Sequence, residues 1–150
     1  MCSSDLLPLF VSEPLCSYSQ CWVASSSLAG AEQIKDLQDL AGFQVLSFTH
    51  RTRPWRYLNE LFRPMGDDAP VIHTCSSVAS LLSLVEQDVG IAFMPEPLVN
   101  PAITAGKLVA IDGLPKAPSL NFCCAWRLDD DRILPRLLTD TARKLIKKSQ

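Results

Sequence analysis

Cys75, Ser76 and Ser77 stand together before a run of leucines in HTCSSVASLLSLVEQDVGIAFMP, residues 73–95. A thiol and two hydroxyls at the start of a helical pattern have two uses. A hydroxyl can accept from the unpaired N–H groups of the helix's first turn, and Ser76 is the expected cap. Those N–H groups, with the positive end of the helix dipole, can equally hold an anion. Both uses stay open. His73 lies two positions before Cys75. Thiol and imidazole are the ingredients of a nucleophilic site, yet no third group is placed to orient the imidazole. Packing is expected of both, and no catalytic residue is expected. A sensing thiol at Cys75 would need a cationic neighbour to lower its pKa, and only His73 is at hand. The six cysteines, at 2, 16, 21, 75, 123 and 124, contain no CxxC and fit no zinc spacing. There is also no P-loop and no GxGxxG, so neither a metal nor a cofactor is expected.

The elements that carry this cluster read clearly. A short β-like run ends in Val71 and Ile72. Val78, Leu81, Leu82 and Val85 fall at i, i+3, i+4 and i+7, one face of an amphipathic helix. Gly90 is the expected helix end, and 91–94 suits a buried strand. The unit is a βαβ crossover whose polar turn lies at a strand's carboxyl end, where open α/β sheets place ligands. Elsewhere 20–25 reads as a strand, 34–40 as a short helix and 43–48 as a strand. Pro54 then opens a helix with Trp55, Leu58, Phe62 and Met65 at helical spacing, so Trp55 is expected in the core. Pro95 and Pro97 open a short helix that Pro101 should interrupt. Strands at 108–111 and 120–126 follow, then a helix over 133–148. The alternation over 43–111 predicts a parallel sheet with right-handed crossovers.

Bulk properties narrow the class. The chain has 150 residues, is 47% hydrophobic and carries a net charge of −2. It should bury a core, and its own charge argues against nucleic-acid binding. No apolar run reaches the roughly 18 residues of a membrane span. The first Lys or Arg is Lys35, so no basic segment marks a secretory signal. The cysteines are read as reduced thiols of a cytoplasmic protein. Lys144, Lys147 and Lys148 complement the last helix's dipole.

The ordered set EPLCSYSQCWVASSSLAG, LQDLAGFQVLSF, HTCSSVASLLSLVEQDVGIAFMPEPLV and AGKLVAI resembles the C-terminal effector-binding domain of LysR-type transcriptional regulators, over about 13–148. The resemblance implies an α/β fold like type 2 periplasmic binding proteins, with two lobes, two crossing strands and a small ligand in the cleft. It implies a complete second lobe at 26–113, a crossing connector at 114–117, and a partial first lobe from 14–25 and 118–150. The tail is 1–13, of which 1–6 resembles a translated sequencing-adapter artefact. The winged helix-turn-helix and the opening units of the first lobe are expected to be missing. The fragment is therefore expected to bind effector poorly, and its partial lobe to pack loosely.

Carried onto this chain, the effector-binding candidates are Ser25, Ser26, Thr49, Arg51, Cys75, Ser76, Met94 and Pro95. Arg51, with Arg53 as its rival, could pair a carboxylate or other small anion bidentately. The implied function is a small-molecule sensor, not an enzyme. DNA is contacted only through the missing N-terminal domain, the intact protein is a homo-oligomer, and no membrane is involved. A transporter's solute-binding protein shares the fold and is the alternative; it would need an export signal.

Overall fold

The computed structural model describes residues 9–149, so the reading of 1–6 lies outside the described residues. The chain divides into two compact units. One runs Ser19–Pro118; the other combines Met1–Tyr18 with Ser119–Gln150.

The Ser19–Pro118 unit is built on a five-stranded sheet. Its strands are β2 (Gln20–Ser25), β3 (Val45–Ser47), β4 (Ile72–Thr74), β5 (Ile91–Pro95) and β6 (Leu108–Ala110). Their spatial order is β4-β3-β5-β2-β6. β3 pairs in parallel with β4 and β5, while β2 pairs antiparallel with both β5 and β6. The sheet is therefore mixed rather than wholly parallel. β2 is an interior strand, fourth of the five and hydrogen-bonded on both sides, and it falls in the Ser19–Pro118 unit, where the sequence expectation grouped 14–25 with the first lobe.

Alternation along the strands feeds two cores, one on each face. Trp22, Ala24, Val45, Ile91 and Phe93 pack with Leu58 and Phe62 of α1 (Arg53–Phe62). Val23, Leu46, Ala92 and Met94 pack with Leu81 and Val85 of α2 (Val78–Glu86) and Val99 of α3 (Glu96–Thr104). The helix pattern read from Val78 to Val85 is therefore the buried face of α2.

Local chemistry explains the departures. Residues 34–40 do not form a helix; turns of 3-10 helix at Ala31–Gln33 and Gln38–Gly42 flank an irregular bend. Asp39 accepts from the N–H groups of Lys35 and Asp36 at 2.8 and 3.1 Å, and Asp36 accepts from Gln38 at 2.8 Å. Such side-chain bonds compete with a helical ladder. These two N–H bonds also hold the Asp39 carboxyl below its ordinary pKa. α3 runs through Pro101 rather than stopping there. The Pro101 carbonyl still accepts from the Ala105 N–H at 3.0 Å, and buried Val99 holds the helix to the sheet. Trp55 is absent from the α1 core, which takes in Tyr57, Leu61 and Met65 beside Leu58 and Phe62.

The other unit is thinner. β1 (Phe10–Tyr18), which contains Pro14 at an irregularity between Pro14 and Cys16, pairs antiparallel with β7 (Leu120–Arg127). α4 (Leu134–Ser149) lies against β1, with Arg143 Nη2 donating to Glu13 Oε2 at 2.8 Å and to the Pro14 carbonyl at 3.1 Å. Thr139 alone is buried among this unit's described residues. Leu134, Leu137 and Leu138 are each more than half exposed. A two-stranded ribbon with one helix so little buried is a marginal structure.

Gly90 does not terminate α2; the left-handed residue there is Asp88, at φ 60°. A Cβ on Gly90 would meet the Gln44 carbonyl oxygen at 2.3 Å, so glycine is required for the close approach to β3. Gly90→Ala should destabilise by about 1–3 kcal/mol in urea unfolding. Gly42→Ala, with nothing within 4 Å of its Cβ, should stay within about 0.5 kcal/mol of the parent.

Candidate functional site

The direction of each strand sorts the predicted residues. β3, β4 and β5 are parallel, so their carboxyl ends share one edge of the sheet. Ser47 pairs with Thr74, and the Cys75 N–H donates to the Ser47 carbonyl at 3.0 Å. The segments carrying Thr49 and Arg51, and Cys75 and Ser76, thus leave neighbouring strands side by side. Pro95 ends the next strand at the same edge, opposite Gln20. Ser25 and Ser26 are not brought there. β2 runs the other way, so Ser25 pairs with Leu108 at the start of β6, on the opposite edge.

The two edges differ in what their hydroxyls do. Ser25 Oγ lies 2.9 Å from Ser27 Oγ, and Ser27 Oγ donates to Asp88 Oδ1 at 2.9 Å. Ser26 Oγ donates to the Gly106 carbonyl at 2.9 Å. This triplet ties the end of β2 to the turns before β5 and β6. It is a closed network, and sequence alone gave no sign of it because strand direction leaves no mark on alternation.

At the carboxyl edge the groups are open. Ser76 is exposed, and its hydroxyl has no hydrogen-bond partner among the described residues. The helix cap is Ser77 instead, one residue later than expected; its Oγ accepts from the Ser80 N–H at 3.2 Å. Arg51 is exposed and has no ion pair among the described residues. The Thr49 carbonyl accepts from the Thr52 N–H at 2.9 Å and hydroxyl at 2.8 Å, and Thr52 Oγ1 caps α1 by accepting from the Trp55 N–H at 3.4 Å. The loop is thereby fixed to its helix. Cys75 is partly buried, its thiol 3.7 Å from the Ser77 carbonyl. Met94 is fully buried in the α2/α3 core, and Pro95, also buried, has no N–H to give. Neither side chain offers a donor. His73 bonds Gln44 Oε1 and is not aligned with Cys75 by any hydrogen bond among the described residues.

Two residues that the sequence reading passed over belong to this edge. Ser47 Oγ and Gln20 Oε1 are buried with no hydrogen-bond partner among the described residues. Gln20 Nε2 donates to the Pro118 carbonyl at 2.9 Å, so one end of the amide is held and the other is open. A buried polar atom left open calls for water or a ligand. The signal was a serine inside the apolar run VLSF. The thiol of Cys21, on β2, is pushed up to about 11 by burial and by Glu96, which marks it as a packed group and not a reactive one. Among the described residues no group of three or more His, Cys, Asp or Glu could hold a metal, and no helix is long and apolar enough to cross a membrane.

A mixed α/β sheet with cores on both faces is the architecture of a lobe of the periplasmic-binding-protein type. Residues 3–143 match the LysR substrate binding domain family, and the chain belongs to that family, the effector-binding part of LysR-type transcriptional regulators. Solved structures agree on the fold. The MetR regulatory domain from N. meningitidis is 17% identical with a TM-score of 0.70, over 96% of this chain and 67% of that one. The CrgA regulatory domain from Neisseria meningitidis is 20% identical with a TM-score of 0.70, over 95% and 72%. Substrate binding domain 2 of Lactococcus lactis GlnP, in its open conformation, is 17% identical with a TM-score of 0.56, over 98% and 61%. No curated protein gave a significant sequence match.

Adjacent serines should separate by role. Ser77→Ala should lose about 1 kcal/mol with its cap. Ser76→Ala should leave stability within about 0.5 kcal/mol, both read by urea unfolding.

Proposed function

We propose that the carboxyl edge of the Ser19–Pro118 sheet binds the effector, and that the effector is a small anion such as a carboxylate. Arg51 pairs its charge, Thr49 and Ser76 supply hydroxyls, and Cys75 with the Ser47 and Gln20 polar atoms completes the floor. The observation that carries the reading is the 3.0 Å bond from the Cys75 N–H to the Ser47 carbonyl, which sets the two donor-bearing segments on neighbouring strands. The positive end of the α2 dipole adds to an anion's stabilisation. Guanidinium suits a carboxylate because two parallel N–H bonds match its two oxygens.

In this reading Ser19–Pro118 is the second lobe of the binding domain, and the remaining unit is part of the first. The chemistry is holding without turnover. The regulator works in the cytoplasm as a homo-oligomer, and DNA contact comes from a winged helix-turn-helix, which the described residues do not include. Effector binding changes DNA contact only as far as the effector prefers one state over another. The GlnP likeness keeps a transporter's binding protein in view by fold, but the family match favours the regulator.

Titration calorimetry of this chain against a panel of small carboxylates tests the site. Arg51→Gln should weaken the best binder by about tenfold or more, the effect of losing a charge-assisted bond. Ser26→Ala should leave affinity within about twofold. Loss in Ser26→Ala with Arg51→Gln unaffected contradicts the proposal.

A further inference from the structure

His50 lies between Thr49 and Arg51 in the chain, yet it takes part in a different feature. Its ring meets that of Trp55 with centroids 4.8 Å apart and planes tilted by 45°. The pair lines an open groove of about 510 Å³ on the flank of α1, which Asn59, Arg63 and Ile72 also line. Trp55, Asn59 and Arg63 recur every four residues, so they form one stripe along the helix and its first continuing residue. Gly66, whose φ of 58° a side chain would resist, also lines the groove.

The stripe has a chemical gradient. Aromatic faces stand at the amino end, an amide in the middle and a guanidinium at the carboxyl end. Arg63 is exposed and has neither an ion pair nor a hydrogen-bond partner among the described residues.

We infer that this groove is a second small-molecule site, distinct from the strand-end edge, which takes an aromatic acid with its ring on Trp55 and His50 and its carboxylate on Arg63. Offset or tilted ring contacts hold a flat ring, and a guanidinium holds a carboxylate bidentately. The volume falls within the range of small-molecule pockets. Trp55 and Arg63 are about 12 Å apart along the helix axis. A helical side chain leans toward the amino end, which shortens that gap for the arginine. An acid with a short chain between ring and carboxylate therefore spans the groove better than benzoate. The inference does not rest on the strand-end proposal, since none of the residues it uses belongs to that site.

Titration of 4-phenylbutyrate into the 150-residue chain, followed by NMR of the indole N–H signals of Trp22, Trp55 and Trp126, tests it. The Trp55 signal should shift saturably. The uncharged 4-phenylbutyramide should bind about tenfold more weakly. Arg63→Gln should bring the acid down to the amide's affinity at the Trp55 signal, and Trp55→Leu, read by titration calorimetry, should weaken both. No saturable shift at Trp55, or equal acid affinity in the parent and Arg63→Gln, overturns the inference. Loss of acid binding in Arg51→Gln but not in Arg63→Gln assigns the acid to the strand-end site and overturns it as well.

Discussion

The antiparallel run of β2 through the middle of a sheet whose other strands are parallel governs the rest of the Ser19–Pro118 unit. β2 is hydrogen-bonded to β5 on one side and β6 on the other, with Gln20 set against Pro95 and Ser25 against Leu108. That register delivers Trp22 and Ala24 to one core and Val23 to the other. A slip of one residue would exchange the two faces and expose both sets. The same register places the amino end of β2, with Gln20, beside the exit of β5, on the edge where β3 and β4 also end. It carries Ser25, Ser26 and Ser27 to the far edge.

Two edges with similar residue types therefore have different fates. At the far edge Ser25 and Ser27 bond each other and Ser27 donates to Asp88, while Ser26 donates to the Gly106 carbonyl, and so all three hold turns together. At the near edge Ser76 and Arg51 have no internal partner among the described residues, and Ser47 Oγ and Gln20 Oε1 are buried and open. Hydrogen-bonding capacity left over on a rigid support is what a binding surface needs.

Much of the fold was legible in the sequence. Val78, Leu81, Leu82 and Val85 marked the buried face of α2, and QCWVAS marked β2 to the residue. What alternation cannot report is strand direction, and that single unknown decides that Ser25 and Ser26 lie at the other edge from Thr49 and Ser76. Period-2 alternation turns Met94 into the core with Val99. The helix expected at 34–40 gave way to the carboxylates of Asp36 and Asp39, which take up backbone N–H groups locally. β1 was hidden by Pro14 and by polar residues whose only strong partner, β7, lies more than a hundred residues away in sequence. Ser76 and Ser77 are adjacent hydroxyls, and only geometry decides which one caps.

The most direct test of the account is amide chemical-shift mapping of this chain as the tightest-binding small carboxylate is added to saturation. The account requires shifts concentrated at Thr49, Arg51, Cys75 and Ser76, with the amides of Ser25, Ser26 and Ser27 unmoved. Shifts centred on those three serines, with the carboxyl edge silent, would contradict it.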